Sequence, residues 1–210
     1  MRIITIAARK GGVGKSTLAA HFSVIAAGNG QGVVLCDTDV QGSLTWWWRL
    51  REGETPALVE CRAGELAQIT EAARNDGVAV CIVDTPPHAE NSILDAMRVA
   101  DLVIVPTRPG PFDLAAVAAT LDLARSIGKT PLAVINHAPP QIAASEPSIV
   151  TEARQALQDM EADVAAAIIS QRVALSHAII AGLTVAEFEP GGKAAAEIAA
   201  LWREIERRLT

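Results

Sequence analysis

The chain contains few cysteines and no long apolar run, and each absence excludes a class of protein. Three widely spaced cysteines, Cys36, Cys61 and Cys81, lack the C-x-x-C spacing of a metal site and predict buried thiols in a reducing compartment. No uninterrupted apolar run approaches the roughly 20 residues of a membrane span, and the first apolar segment lacks a signal-peptide cleavage site. We therefore expect a cytoplasmic protein.

Positive charge is scarce as well. The 210 residues include 18 lysines and arginines against 24 aspartates and glutamates, which gives a formal net charge of −6. Such a chain does not coat nucleic acid through its overall field, so any contact with DNA has to be local. Only four of the basic residues are lysines, and two of these, Lys10 and Lys15, belong to one glycine-rich segment near the N-terminus.

Strand-length apolar runs alternate with segments of helical periodicity. Near-continuous Val, Ile and Leu runs are typical of parallel strands that are covered on both faces. The predicted strands are Ile3–Ala8, Val33–Cys36, Val78–Val83, Leu102–Val105, Leu132–Ile135 and Ala166–Ile169. The predicted helices include Ser16–Asn29, Asp113–Ser126, Ile149–Glu161 and Lys193–Leu209. This alternation predicts an α/β fold with a doubly wound, mostly parallel sheet, helices on both faces and ligands at the carboxyl ends of the strands. We expect one domain over residues 1–210.

The segment KGGVGKST, from Lys10 to Thr17, follows the first predicted strand and has the composition of a phosphate-binding loop. Its glycines allow backbone N–H groups to converge on phosphate oxygens, and the following helix directs the positive end of its dipole at the same place. Lys15 adds a positive charge, and the Ser16 hydroxyl is placed to ligate Mg²⁺. The predicted nucleotide-binding residues here are Gly11, Gly12, Val13, Gly14, Lys15, Ser16 and Thr17.

Acidic residues stand at two of the predicted strand ends. Asp37 and Asp39 follow the second strand and could face the γ-phosphate side of the loop, although capping of the next helix is an alternative. Asp84 ends the apolar residues 80–83, as in a Walker B segment, whose carboxylate reaches the Mg²⁺ shell through water. A plain turn is the alternative for this second motif.

Together these motifs resemble the ParA/MinD family of deviant Walker A P-loop ATPases. The first glycine of the ordinary pattern G-x-x-x-x-G-K-[ST] falls on Arg9, and the extra lysine of the deviant motif is Lys10. DTDVQGS resembles the family's D-x-D-P-Q-G-[NS], with Val40 in place of proline, and DTPP after residue 83 is also similar. The likeness is greatest to the short, ParF-like partition ATPases, because only nine residues precede Lys10 and no N-terminal helix-turn-helix domain is expected.

The resemblance implies roles for individual residues. Lys10 would reach the ATP of a second subunit, Asp39 would position the attacking water, and Asp37 would belong to the surroundings of the metal with Ser16 and Asp84. The catalytic candidates implied by the resemblance are therefore Lys10, Lys15 and Asp39. Asn136 would pair with adenine, although a turn role also suits an asparagine there. Pro190 lies in a segment that resembles the loop over the base.

The resemblance also implies a function. ATP and Mg²⁺ would drive homodimerisation, the dimer would bind nonspecific DNA of the nucleoid, and a ParB-type partner would stimulate slow hydrolysis to segregate plasmid or chromosomal DNA. The candidate DNA contacts are Arg172, Arg203, Arg207 and Arg208. The alternative is a MinD-like or cluster-positioning ATPase that acts on a membrane or a protein cargo. A metabolic P-loop enzyme such as dethiobiotin synthetase is disfavoured because it has no need of Lys10.

Two apolar features carry structural expectations. An apolar stripe in the last predicted helix lies opposite three arginines, Arg203, Arg207 and Arg208, and consists of Ile198, Leu201, Trp202, Ile205 and Leu209. Glutamates dilute the positive face of this helix, which favours docking on the core over membrane binding. The three successive tryptophans 46–48 cannot all face one core from a helix, so at least one should be exposed.

Overall fold

The computed structural model describes residues 1–141 and 145–209, and its centre is a seven-stranded parallel sheet. In chain order the strands are β1 Arg2–Ile6, β2 Val33–Asp37, β3 Ala57–Glu60, β4 Val80–Asp84, β5 Leu102–Thr107, β6 Leu132–Ile135 and β7 Asp163–Val164. They lie side by side in the order β3-β2-β4-β1-β5-β6-β7, and every neighbouring pair is parallel. The predicted parallel α/β sheet is confirmed.

Helices cover both faces of the sheet. They are α1 Lys15–Gly28, α2 Ser43–Arg49, α3 Leu66–Asn75, α4 Glu90–Val99, α5 Pro111–Ser126, α6 Ser148–Asp159, α7 Val173–Ile180, α8 Val185–Phe188 and α9 Lys193–Arg208, with a 3₁₀ turn at Ala63–Glu65. Helices α1, α2, α7, α8 and α9 share a core with one face, and α3 to α6 cover the other. Along β1, Ile4 and Ile6 pack with the first group while Ile3 packs with α3, as the period of two requires.

The C-terminal helix docks on the core, as predicted. Ile198, Leu201 and Ile205 of α9 are buried, and Trp202 packs against Phe22 of α1 with their ring centroids 5.6 Å apart. Within residues 1–141 and 145–209, no helix is both long enough and apolar enough to span a membrane.

The tryptophans of α2 divide as their helical spacing requires. Trp46 is 52% exposed, whereas Trp47 is buried and donates its indole N–H to the carbonyl of Leu183. Trp48 donates its indole N–H to the carbonyl of Pro56, which leads into β3. The triplet therefore connects α2 to two other parts of the chain and leaves one ring exposed.

Several predicted boundaries differ from the structure by one or two residues, and two of the wrong predictions have identifiable reasons. The predicted strand Ala166–Ile169 is not a strand, because the amides of Ala166 and Ala167 donate to the Glu204 carboxylate of α9 while β7 ends at Val164. The helix predicted to start at Asp113 begins at Pro111, a residue whose fixed φ suits the first helical position.

Candidate nucleotide-binding site

Three strand ends meet at the centre of the sheet's carboxyl edge. Ile6 of β1 lies in register with Asp84 of β4, and Asp84 lies in register with Asp37 of β2. Thr38 donates its hydroxyl to the Asp84 carbonyl at 2.7 Å, and Thr85 donates to the Ile6 carbonyl at 3.0 Å. These hydroxyl bonds fix the strand ends around the segment that follows β1.

That segment, residues 10–17, forms a turn that leads into α1. Gly12 has φ +71° and Gly14 has φ +92°, a region that residues with a Cβ rarely adopt. A Cβ on Gly14 would also lie 2.3 Å from the Asn136 side-chain nitrogen, so both the backbone and the available space require glycine there. The Lys15 side chain is buried, and desolvation lowers its pKa while Asp84 and Asp39 oppose that change. The turn therefore presents backbone groups and a lysine at the same strand ends as the aspartates.

Asp84 is the most unusual group at this edge. Its side chain is 1% exposed, and neither carboxylate oxygen accepts a hydrogen bond from a described residue. Burial raises the pKa of the Asp84 carboxyl to about 7, while the nearby Ser16 hydroxyl and Lys15 ammonium act in the opposite direction. A buried carboxylate without a partner, next to a hydroxyl, fits a hard divalent cation such as Mg²⁺, which takes oxygen ligands.

Asp37 and Asp39 make different contacts. Asp37 Oδ2 accepts hydrogen bonds from the Thr45 amide at 2.9 Å and hydroxyl at 2.8 Å, and its Oδ1 accepts from the Asp39 amide at 3.0 Å. Asp39 Oδ1 accepts only a local bond, from the Gln41 amide. Asp37 thus holds the first turn of α2, as the capping alternative describes, and Asp39 lies in the loop before that helix.

Asn136 stands just after β6 and touches the phosphate turn. Its side-chain Nδ2 donates to the Val13 carbonyl at 2.7 Å, and its Oδ1 accepts from the His137 amide. Beside it lies a cavity of about 270 Å³ whose wall includes Thr17, Ser170 and Arg172. Pro190, predicted to lie over the base, is an exposed residue between α8 and α9 and does not line this cavity.

Lys10 is paired within its own chain. Its Nζ lies 2.8 Å from Asp113 Oδ1 in the first turn of α5, and its side chain is 38% exposed. Arg108, at the end of β5, donates to the Gly12 carbonyl from the same side. Because the Lys10 side chain is partly open to solvent, an anion with more charge than one carboxylate can compete with Asp113 for its ammonium.

The four arginines predicted for DNA do not form one patch. Arg172 pairs with Glu197 at 2.6 Å, whereas Arg208 pairs with Asp163 at 3.0 Å and Glu204 at 2.9 Å. Glu197 and Arg208 are separated by about 16 Å along α9 at 1.5 Å per residue. Arg203 and Arg207 are exposed on the last turns of α9. At least two of the four charges, those of Arg172 and Arg208, are therefore already balanced by carboxylates.

Sequence reasoning missed several residues of this edge. Thr38 directly follows Asp37 and Thr85 directly follows Asp84, so their positions next to the predicted site aspartates could have identified them. Arg108 and His137 carried no such signal, because only the fold brings the ends of β5 and β6 to the phosphate turn. The Nε2 atom of His137 would lie 3.0 Å from a Cβ on Gly14, so the imidazole is close to the phosphate turn. Partial burial lowers the pKa of this imidazole.

Comparison with known proteins agrees with this geometry. The model of the CobQ/CobB/MinD/ParA nucleotide binding domain matches residues 4–185. The chain is 30% identical, over 212 aligned positions, to maintenance of carboxysome distribution protein A of Gloeobacter kilaueensis, with 99% of this chain and 94% of that protein covered. It is 35% identical over 127 positions to protein ParA of Rhizobium radiobacter, with 59% and 56% covered. The solved structure of apo McdA from Cyanthece superposes with a TM-score of 0.81 at 14% identity over the whole of both chains.

Proposed function

The chain belongs to the CobQ/CobB/MinD/ParA family of nucleotide-binding ATPases, and we propose that it is an ATP-driven switch that dimerises with ATP and separates after slow hydrolysis. The observation that carries the proposal is the buried Asp84 carboxylate without a described partner at the phosphate turn. A buried carboxyl group whose ionisation costs folding energy, and whose oxygens accept no hydrogen bond from the described residues, is best explained by a ligand that supplies positive charge there.

The residues around the turn would share the work of binding. Residues 11–17 would hold the phosphates through backbone N–H groups and Lys15, and Ser16 and Asp84 would hold Mg²⁺, Asp84 through water. When bound, Mg²⁺ neutralises charge that develops on the β- and γ-phosphate oxygens. Asp39 would orient the attacking water, because its carboxylate makes only a local bond in the loop before α2. Asp37 would act on the metal's surroundings only indirectly, since Thr45 and Asp39 already use its oxygens.

Dimerisation would depend on Lys10. In the isolated chain Lys10 is held by Asp113, a weak and half-exposed pair. A γ-phosphate of a second subunit carries more charge than one carboxylate, so Lys10 would exchange partners when two ATP-loaded subunits meet. Energy from γ-phosphate binding would then be spent on assembly of the dimer.

The cargo we propose is a protein assembly that the dimer positions with the help of a partner protein. Support comes from the relative of Gloeobacter kilaueensis, which is similar over nearly the whole length of both proteins and is described as maintaining carboxysome distribution. The similarity to protein ParA of Rhizobium radiobacter supports segregation of DNA with a ParB-type partner as the second candidate, over a shorter part of the chain. Both candidates use the same ATP cycle.

The ATP cycle is tested with three variants of the full chain. Lys15→Ala should abolish detectable ATP binding, because the buried ammonium is lost from the phosphate turn. Asp39→Ala should bind ATP and dimerise but hydrolyse it at least tenfold more slowly. Calorimetry measures ATP binding, light scattering measures dimerisation and phosphate release measures hydrolysis. Arg74→Ala on α3 is the matched loss of one exposed charge. Micromolar ATP binding by the Lys15 variant would overturn the proposed site.

A further inference from the structure

The segment between β7 and α7 leaves the sheet and borders the cavity beside Asn136. Residues 169–172 line that cavity together with Leu175 and Ile179 of α7. Four backbone bonds connect the segment to β6 and the residues just after it. The amides of Ala165 and Ile169 donate to the carbonyls of Ala133 and Ile135, the Ala138 amide donates to the Ile169 carbonyl, and the Gln171 amide donates to the Ala138 carbonyl. The Ser170 amide and the Arg172 side chain take no part in these bonds, so their positions in the cavity wall depend on other contacts.

Two glutamates of α9 hold the segment by its amides. Glu197 accepts bonds from the Ser170 amide at 3.0 Å and hydroxyl at 2.9 Å, and from Arg172 Nε at 3.1 Å and Nη2 at 2.6 Å. About two helical turns further along α9, the Glu204 carboxylate accepts hydrogen bonds from the amides of Ala166 at 3.1 Å and Ala167 at 3.2 Å. The two carboxylates lie on one face of α9, seven residues apart.

The two contacts differ in what they shape. Ser170 and Arg172, which Glu197 holds, are wall residues of the cavity that also contains Asn136 and Thr17. Ala166 and Ala167, which Glu204 holds, line a different cavity that includes Arg203 and Arg207. Helix α9 therefore makes two similar contacts with the segment, through Glu197 and through Glu204. Of the two, only the Glu197 contact involves residues that line the cavity beside Asn136.

We propose that Glu197 is a positioning residue for the nucleobase, because its carboxylate keeps Ser170 and Arg172 in place as a preformed part of the cavity wall that Asn136 also lines. The inference rests on the proposed function, in which this cavity receives the base of ATP. Without the carboxylate, the Ser170 amide and the Arg172 guanidinium lose their shared acceptor, and the wall has to be ordered when the nucleotide binds. Ordering a loop and its side chains on binding weakens affinity.

The test compares ligands with and without a base. Dissociation constants of ATP and of inorganic tripolyphosphate, each with Mg²⁺, are measured by calorimetry for the wild type, Glu197→Ala and Glu197→Gln. Glu197→Ala should weaken ATP binding roughly tenfold and leave tripolyphosphate binding within about twofold, because phosphate contacts at residues 11–17 do not involve Ser170 or Arg172. Glu197→Gln keeps an acceptor for Ser170 but not for the arginine charge, so its loss should be smaller.

The control is Glu204→Ala, which removes the companion contact. It should lower thermal stability, since Glu204 is buried and accepts two amides, and should leave the ratio of the two affinities unchanged. An equal loss for ATP and tripolyphosphate in Glu197→Ala, or no loss for either, would overturn the role of Glu197. Failure of the wild type to bind ATP would instead overturn the proposed function on which the inference depends.

Discussion

At the scale of single residues, the chain contains two buried groups, Asp84 and His21, whose ionisation opposes folding. Asp84 is a buried carboxyl whose pKa burial raises to about 7, and His21 of α1 is a buried imidazole whose pKa burial lowers to about 4. His21 Nε2 accepts the Val185 amide, so its Nδ1 carries the proton donated to the Thr17 carbonyl. Both groups are therefore neutral in the folded chain near pH 6.

Asp84→Asn should stabilise the nucleotide-free protein at alkaline pH and remove its Mg²⁺ dependence of ATP binding. The folded pKa of Asp84 is raised, so the folded state holds the proton that the unfolded state loses, and stability falls as pH rises from about 4 to about 7. The upper limit of this loss is about 4 kcal/mol at 1.36 kcal/mol per pH unit. Urea unfolding at pH 5 and pH 8 measures it. An unfolding free energy of the variant that falls with pH as steeply as that of the wild type would contradict the prediction.

His21→Gln should change the pH dependence in the opposite sense. The folded pKa of His21 is lowered, so the unfolded state binds more protons, and stability falls as pH drops from about 6.5 to about 4. In the wild type this slope opposes that of Asp84 over the same range. Without the imidazole, the free energy of unfolding should therefore decrease steadily as pH rises over this range. A variant whose unfolding free energy has the same pH slope as that of the wild type between pH 4.5 and 6.5 would show that His21 does not titrate there.

At the scale of elements, structure that depends on residues close together in the sequence was predicted. Structure that depends on contacts between distant parts of the chain was missed. The phosphate turn was predictable because strand, glycines, lysine and hydroxyl follow one another from residue 3 to residue 17. Residues 166–169 were predicted as a strand from their apolar run, but Glu204 takes two of their amides from across the chain. The edge strand β3 was missed because Ala57 and Glu60 at its ends are exposed, so it lacks the continuous apolar run of the central strands.

Gly182→Ala tests how closely α2 packs on the loop between α7 and α8. Gly182 has φ +71°, and a Cβ there would lie 2.6 Å from the Leu50 carbonyl oxygen, which is backbone and cannot rotate away. Arg51 also donates to the Gly182 carbonyl and pairs with Glu187, so the shift would disturb that contact. We expect a loss of roughly 2–3 kcal/mol in unfolding free energy. Gly30→Ala is the control, because Gly30 also has a positive φ but has open space around it. The loss in Gly182→Ala beyond that in Gly30→Ala reports the clash, and the loss in Gly30→Ala reports the backbone strain.

At the scale of the whole molecule, Lys10 should decide the oligomeric state. Lys10→Ala loses the charge that would meet the ATP of the second subunit, whereas Asp113→Asn only releases Lys10 from its pair in the same chain. We expect the first variant to bind ATP but remain a monomer, and the second to dimerise with ATP at least as well as the wild type. Light scattering with ATP and with ADP measures both. An ATP-dependent dimer of Lys10→Ala would refute the exchange of partners.

The surface on which such a dimer acts is decided by charges that the fold leaves available. Arg208 is paired with two carboxylates while Arg203 is exposed, so Arg203→Ala should weaken DNA binding more than Arg208→Ala, although each removes one charge. If two arginines per subunit meet phosphates, log K should fall with log salt at a slope of roughly −4, and Arg203→Ala should flatten it by about two units per dimer. Co-sedimentation with ATP against DNA and against anionic liposomes separates the surfaces. Binding to liposomes alone would favour a membrane-directed switch, and binding to neither would leave a protein assembly as the surface that the dimer recognises.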